Sequence, residues 1–164
     1  MIAFNSADVL AYFERRSPRD AADLVAETMM TAWRRCSIMP EPAIDARMWL
    51  FGIARNVLAN ADRTERRRWR LADRLRLMTL PSDVSAASDE GADVRDAVAR
   101  LEPGSAELIR LVHWDGFSIA ESAQIIGIPA STARTQYQRA KEQLRRSLSD
   151  HDATEMSGTG HGTH

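Results

Sequence analysis

One cysteine, Cys36, stands in the whole chain, so no internal disulfide can form and no cysteine cluster can hold zinc. Lying between two helical stretches, its thiol is expected to be a small, partly buried packing group. Long apolar runs are missing as well: none reaches eighteen residues, the length at which a membrane span begins. The opening MIAFNSADVLAYFERR has acid and arginine where a secretion signal has its apolar stretch, so the chain is expected to stay in the cytoplasm with no membrane insertion. Strand patterning is scarce too, because no sustained alternation of apolar and polar residues occurs. Chemistry is the last absence. No phosphate-cradling loop, metal-ligand cluster or nucleophile with a base is present, and only His113 of the four histidines lies outside the last fourteen residues. No cofactor, metal or catalysis is therefore expected, and His113 beside Trp114 is expected to be structural.

Net charge is nearly absent, −1 over 164 residues, and a total so small gives no reason of its own to expect nucleic acid. Its distribution does. Arg55, Arg63, Arg66, Arg67, Arg68, Arg70, Arg74 and Arg76 face only Asp62, Glu65 and Asp73 in their segment. A second basic block runs from Arg134 to Arg146, with Arg139, Lys141 and Arg145 against Glu142 alone. Between the two lies acid: Asp83, Asp89, Glu90, Asp93 and Asp96 against Arg95.

What is present everywhere is apolar spacing of three and four, which predicts an all-α fold. Asn5 or Ser6 can cap a first short helix carrying Val9, Leu10, Tyr12 and Phe13, ended by Ser17-Pro18. A second helix from about Asp20 carries Leu24, Val25, Thr28, Met29 and Ala32 until Pro40 and Pro42 interrupt the pattern. A third from about Asp45 starts apolar and ends in arginines, so one end should sit in a core and the other in solvent or on a polyanion. Trp33 and Trp49 lie among apolar residues, the setting of core anchors, whereas Trp69 lies among arginines. The small, acidic stretch from Met78 to Ala92 has linker composition. The expected organisation is therefore two small helical domains, 1–76 and 93–150, joined by a flexible acidic linker at 77–92. Residues 151–164, rich in glycine, serine and threonine, are expected to be a disordered tail.

The second half holds a recognisable device. Ser118-Ile119-Ala120-Glu121 fits a capping box, Gly127 can end the helix it opens, and Pro129 precedes a new one. A helix, a glycine turn and a second helix with a polar outer face make a helix-turn-helix. Ser131, Thr132, Arg134, Thr135, Gln136 and Gln138 then lie near the end that meets base edges in the major groove. Arg134 can pair with guanine, and Gln136 or Gln138 with adenine. Arg139, Lys141, Arg145 and Arg146 suit phosphate contacts. A plain amphipathic helix with a solvated basic face would read the same way.

The runs DAADLVAETMMTAWRR (Asp20 to Arg35) and ARMWLFGIARNVLANADRTERRR (Ala46 to Arg68) resemble region 2 of bacterial sigma-70-type initiation factors, and the segment from Asp93 to Ser149 resembles their region 4. With no room for a folded region 3, the likeness is to the short extracytoplasmic-function (ECF) group. The resemblance implies a sigma factor that binds core RNA polymerase and promoter DNA. It implies polymerase contacts at Asp20, Asp23, Leu24, Glu27 and Trp33. It also implies a flipped minus-ten base held by the loop from Ser37 to Ile44, with Ile38 and Met39 in it. Arg55, Asn56, Asn60, Arg63, Arg66, Arg67 and Arg68 would face minus-ten DNA, and the helix-turn-helix would read the minus-35 element. The acidic linker would thread toward the polymerase active centre, unless it is a simple tether. Factors of this group are often held by an anti-sigma factor, although no residue here identifies one. Ser122, Ala133, Gln136 and Asn60 depart from the usual pattern of the family, which bears on the promoter sequence read. The alternative is a stand-alone helix-turn-helix regulator that needs no polymerase.

Overall fold

The computed structural model describes residues 5–75 and 92–158, with side chains placed through 71 in the first span and through 149 in the second. All but the last residue of the expected linker lies outside the described residues, as do 159–164 of the expected tail. The chain divides into two compact units, Met1–Asp83 and Val84–His164. The secondary structure of the described residues is all helical, joined by short turns, with no strand.

The first unit holds α1 (Ser6–Glu14), α2 (Ala21–Arg34), a 3-10 turn (Cys36–Ile38) and α3 (Ala43–Leu75). Asn5 takes the N-cap position of α1 without a side-chain cap bond. Val9, Tyr12 and Phe13 come from one face of α1 and are fully buried, because residues three and four apart share a face. Tyr12 meets Phe13 and Phe51 edge to face, at ring centroid distances of 5.2 and 5.5 Å. Across from them, α2 lays Ala21, Leu24, Thr28 and Ala32 against α1 and α3. Thr28 is buried at no polar cost, since its hydroxyl donates to the Leu24 carbonyl at 2.7 Å.

The second unit holds α4 (Ala92–Ala99), α5 (Pro103–His113), α6 (Ile119–Ile126) and α7 (Ala130–Gly158) around Val98, Leu101, Leu108, Ile109, Ala123, Ala133, Tyr137 and Ala140. Its helix ends are built by local chemistry. Glu102 caps α5, accepting the Ser105 N–H at 3.1 Å, and Pro103 follows at the first helical position, where its missing N–H costs nothing. Backbone N–H groups of Gly104 and then Ser105 hold the Glu102 carboxyl below its ordinary pKa. The capping box is present in both directions: Ser118 N–H to Glu121 Oε2 at 2.7 Å and Glu121 N–H to Ser118 Oγ at 3.2 Å. Gly127 ends α6 with φ at +82°, a left-handed conformation in which other residues are strained.

Several sequence expectations change here. Cys36 is exposed, not packed between helices, because it sits on the 3-10 turn that follows α2. Trp33 is 74% exposed and anchors no core, while Trp49 is half-buried. α3 starts at Ala43, so Ile44 belongs to its first turn and not to the preceding loop. The stretch expected as tail is helical through Gly158: Ala153, Glu155 and Met156 favour a helix and no proline stops it, until glycines accumulate from Gly158 on.

Candidate nucleic-acid interface

In the second unit the buried residues of α7 fix which way its other side chains look. Ala133, Tyr137 and Ala140 face the core, and at 100° per residue Ser131, Thr135, Gln138, Arg139 and Glu142 fall on the opposite side. Arg134 and Lys141 flank that stripe on one edge and Thr132 on the other; all three are exposed. Gln136 is half-buried, so of the two glutamines raised as adenine readers Gln138 has the freer amide. The Thr135 hydroxyl donates back to the Ser131 carbonyl at 3.2 Å. Behind this surface Tyr137 Oη lies 3.0 Å from His113 Nε2, with the two rings stacked at 5.9 Å and 15°. His113 thus joins the end of α5 to the middle of α7, the structural part expected of it. Ser122 is fully buried on α6 with no hydrogen-bond partner for its hydroxyl, where an alanine would fit as well.

In the first unit α3 is far longer than its neighbours, 33 residues against 14 in α2, roughly 50 Å against 21 Å at 1.5 Å per residue. Its first half is core; residues 62–71 are exposed. Asn56, Asn60, Arg63 and Arg67 lie along one side of it, while Arg66 and Arg68 diverge to either flank. Arg63 donates to Asn60 Oδ1 at 2.6 Å and to the Ala59 carbonyl at 3.1 Å. Arg55 is half-buried near the core end. Asp20, Asp23 and Glu27 are exposed on α2, but Leu24 is only 4% exposed and spent on the core, so it cannot also touch a partner. On the 3-10 turn Ser37 and Ile38 are exposed, and Met39 is half-buried.

Residues that the resemblance divides between two partners meet in one place. Asp20, the N-cap of α2, and Glu27 within it face Asn60, Thr64, Glu65, Arg68 and Trp69 of α3 across a cleft of about 610 Å³. Trp69, 63% exposed, donates its indole N–H to Glu65 Oε1 at 3.4 Å. Glu142, noted in sequence only as the lone acid of its segment, binds Arg145 and Arg146. Its spacing of three and four from those arginines was the available signal. Among the described residues no group of histidine, cysteine or carboxylate side chains could hold a metal, and no helix is long and apolar enough to cross a membrane.

Two family models match the chain, Sigma-70 region 2 over residues 8–68 and Sigma-70, region 4 over residues 92–144. The chain belongs to the sigma-70 family, in its ECF group. This sigma factor is 31% identical over 151 residues to the ECF RNA polymerase sigma factor SigL of Mycobacterium tuberculosis, covering 88% of this chain and 85% of that one. It is 31% identical over 144 residues to the ECF sigma factor BldN of Streptomyces coelicolor, 85% of this chain and 54% of the relative. Its fold is similar to that of the sigma factor RpoE solved with the anti-sigma factor NepR from Bartonella quintana, with a TM-score of 0.72 at 24% identity over 90% of this chain and 94% of that one. As a sigma factor it serves RNA polymerase at promoters.

Proposed function

We propose that this sigma factor divides promoter recognition between its units: the α6–α7 helix-turn-helix reads the minus-35 element, and the exposed end of α3 receives the minus-ten element as it opens. The observation that carries this reading is a glycine-turned helix pair whose second helix turns Ser131, Thr135, Gln138 and Arg139 away from the core. Arg134, at the edge of that stripe, pairs with a guanine through two hydrogen bonds, a contact worth about 1–3 kcal/mol of discrimination. Arg139 and Lys141 bind phosphate and set register without specifying bases.

At the minus-ten element a flipped base costs a few kcal/mol of unstacking and unpairing. Asn56, Asn60, Arg63, Arg66, Arg67 and Arg68 offset that cost with charge and hydrogen bonds along α3, and Ser37, Ile38, Met39 and Ile44 frame the base. Core polymerase docks on the acidic outer side of α2 through Asp20, Asp23 and Glu27, with Trp33 as an exposed apolar anchor; Leu24 supports that surface from within. The protein acts in the cytoplasm beside the polymerase and has no catalysis of its own. An anti-sigma factor is proposed as a further partner, on the precedent of the Bartonella protein.

Substituting each surface in the full chain with core polymerase tests the division. Asp23→Ala with Glu27→Ala should weaken polymerase binding without DNA present. Arg134→Ala should leave polymerase binding intact and change the preferred base at one upstream position. Loss of polymerase binding in Arg134→Ala, or its retention in the acidic double variant, would overturn the assignment.

A further inference from the structure

The outer side of α7 continues past its base-reading turns into a stretch where the arginines are not free. One oxygen of Glu142, Oε1, accepts from Arg145 Nη2 at 3.0 Å and from Arg146 Nε at 3.2 Å, with Arg146 Nη2 at 3.1 Å. Both arginines are about three-quarters exposed, and the carboxylate is less so at 43%. Glu142 also shares a shallow depression with Gln138, Arg139, Gln143, Arg146 and Ser147, which makes it continuous with the stripe assigned to DNA. First Arg145 and then Arg146 hold its carboxyl below the ordinary glutamate pKa, so it is ionised at neutral pH.

We propose that Glu142 is a specificity-determining residue: it occupies Arg145 and Arg146 in the free protein and so limits the phosphate contacts that α7 makes on DNA of any sequence. The inference rests on α7 being the DNA-facing helix. Two guanidinium groups sharing one carboxylate oxygen present a net charge of +1 where two free arginines would present +2. A phosphate can recruit either arginine only by displacing Glu142, whose own charge is repelled by the DNA backbone. Surface ion pairs of this kind are weak, so the clamp is displaced where base contacts hold α7 in register and persists where they do not. Affinity for random sequence is thereby lowered more than affinity for the promoter, and discrimination rises. Sequence-independent binding comes almost entirely from phosphate neutralisation, which is why a single carboxylate here changes the specificity ratio more than the fold.

The test compares Glu142→Gln with Asp96→Asn in the full chain, each adding the same charge, by anisotropy on a random-sequence duplex across a salt series. Glutamine supports a helix about as well as glutamate, so the variant folds. With one net positive charge released at Arg145 and Arg146, the slope of log affinity against log salt should steepen by about one, and the affinity ratio between 50 and 200 mM salt should grow by roughly fourfold. The promoter-over-random preference should fall. In the Glu142→Gln background Arg145→Ala and Arg146→Ala should each remove about one unit of that slope. If Glu142→Gln behaves as Asp96→Asn does while Arg139→Ala still weakens binding, Glu142 is an ordinary surface charge and the proposal is wrong. If Arg139→Ala also has no effect, α7 is not the DNA-facing helix, and the proposal falls together with the reading beneath it.

Discussion

The two helices that carry most of the arginines, α3 and α7, are held in different ways. The start of α7 is fixed by local devices: a left-handed Gly127 and Pro129 just before it, and a reciprocal capping box that opens α6 one short helix earlier. Among the described residues the exposed end of α3 shows no such device. Its direction follows from Leu50, Phe51, Ala54 and Val57 packed at the other end, against α1 and α2. The arginines differ as well. On α7, Arg145 and Arg146 are bound to a carboxylate, while among the described residues no carboxylate holds Arg66, Arg67 or Arg68 on α3. In the proposed division of labour, the sequence-reading surface restrains its spare charge and the surface that receives the opened strand leaves its charge available.

The sharpest way to break this comparison is Phe51→Ala. Phe51 is fully buried and meets Tyr12 edge to face, so truncation should cost about 3–5 kcal/mol in denaturant unfolding and raise hydrogen exchange in α1–α3. A small loss would mean that α3 is not directed by its packed half. Next in size is the pair Arg134→Ala and Arg67→Ala. The first should cost about 1–3 kcal/mol at one base pair, and the second should weaken all promoters alike and lower the salt slope by about one. Equal losses across promoter variants for Arg134→Ala would remove its role as a reader.

Gly127→Ala follows. An added Cβ meets no atom within 4 Å, so the cost is backbone alone, about 1–2 kcal/mol for a left-handed residue. Unchanged stability would show that the turn does not depend on glycine. Smallest is the pH effect of Glu102→Gln. The folded pKa of Glu102 is lowered by N–H donors, so its stabilisation is fully present above the ordinary value of 4.5 and is lost as pH falls through the lowered folded value. Wild type should therefore exceed the variant at neutral pH and converge with it in acid. A gap that persists in acid would contradict the cap.

How much of this was legible in the sequence follows from the same contrast. Ser118, Glu121, Gly127 and Pro129 carry their meaning within a short window, and the helix-turn-helix they predict is present with its bonds in place. The all-helical fold was legible for a similar reason, since helical spacing is local. Which face of a helix a residue takes is a tertiary matter. Trp33 looked like an anchor among apolar neighbours but points outward, and Leu24, placed with the polymerase contacts by resemblance, points inward. Cys36 depended on whether α2 ran on or broke into a 3-10 turn, a choice that its neighbours in sequence do not settle. The cleft joining Asp20 and Glu27 to Arg68 and Trp69 brings together residues about forty positions apart, beyond the reach of periodicity.

The most direct test is transcription from fragmented genomic DNA of the source organism, with the purified full chain added to bacterial core RNA polymerase and the new 5′ ends sequenced. Discrete start sites sharing paired upstream motifs, with one position of the distal motif altered by Arg134→Ala, are the expected result. A folded protein that binds duplex DNA at defined sites without polymerase and starts no transcript with it would contradict a division of promoter recognition between the two units.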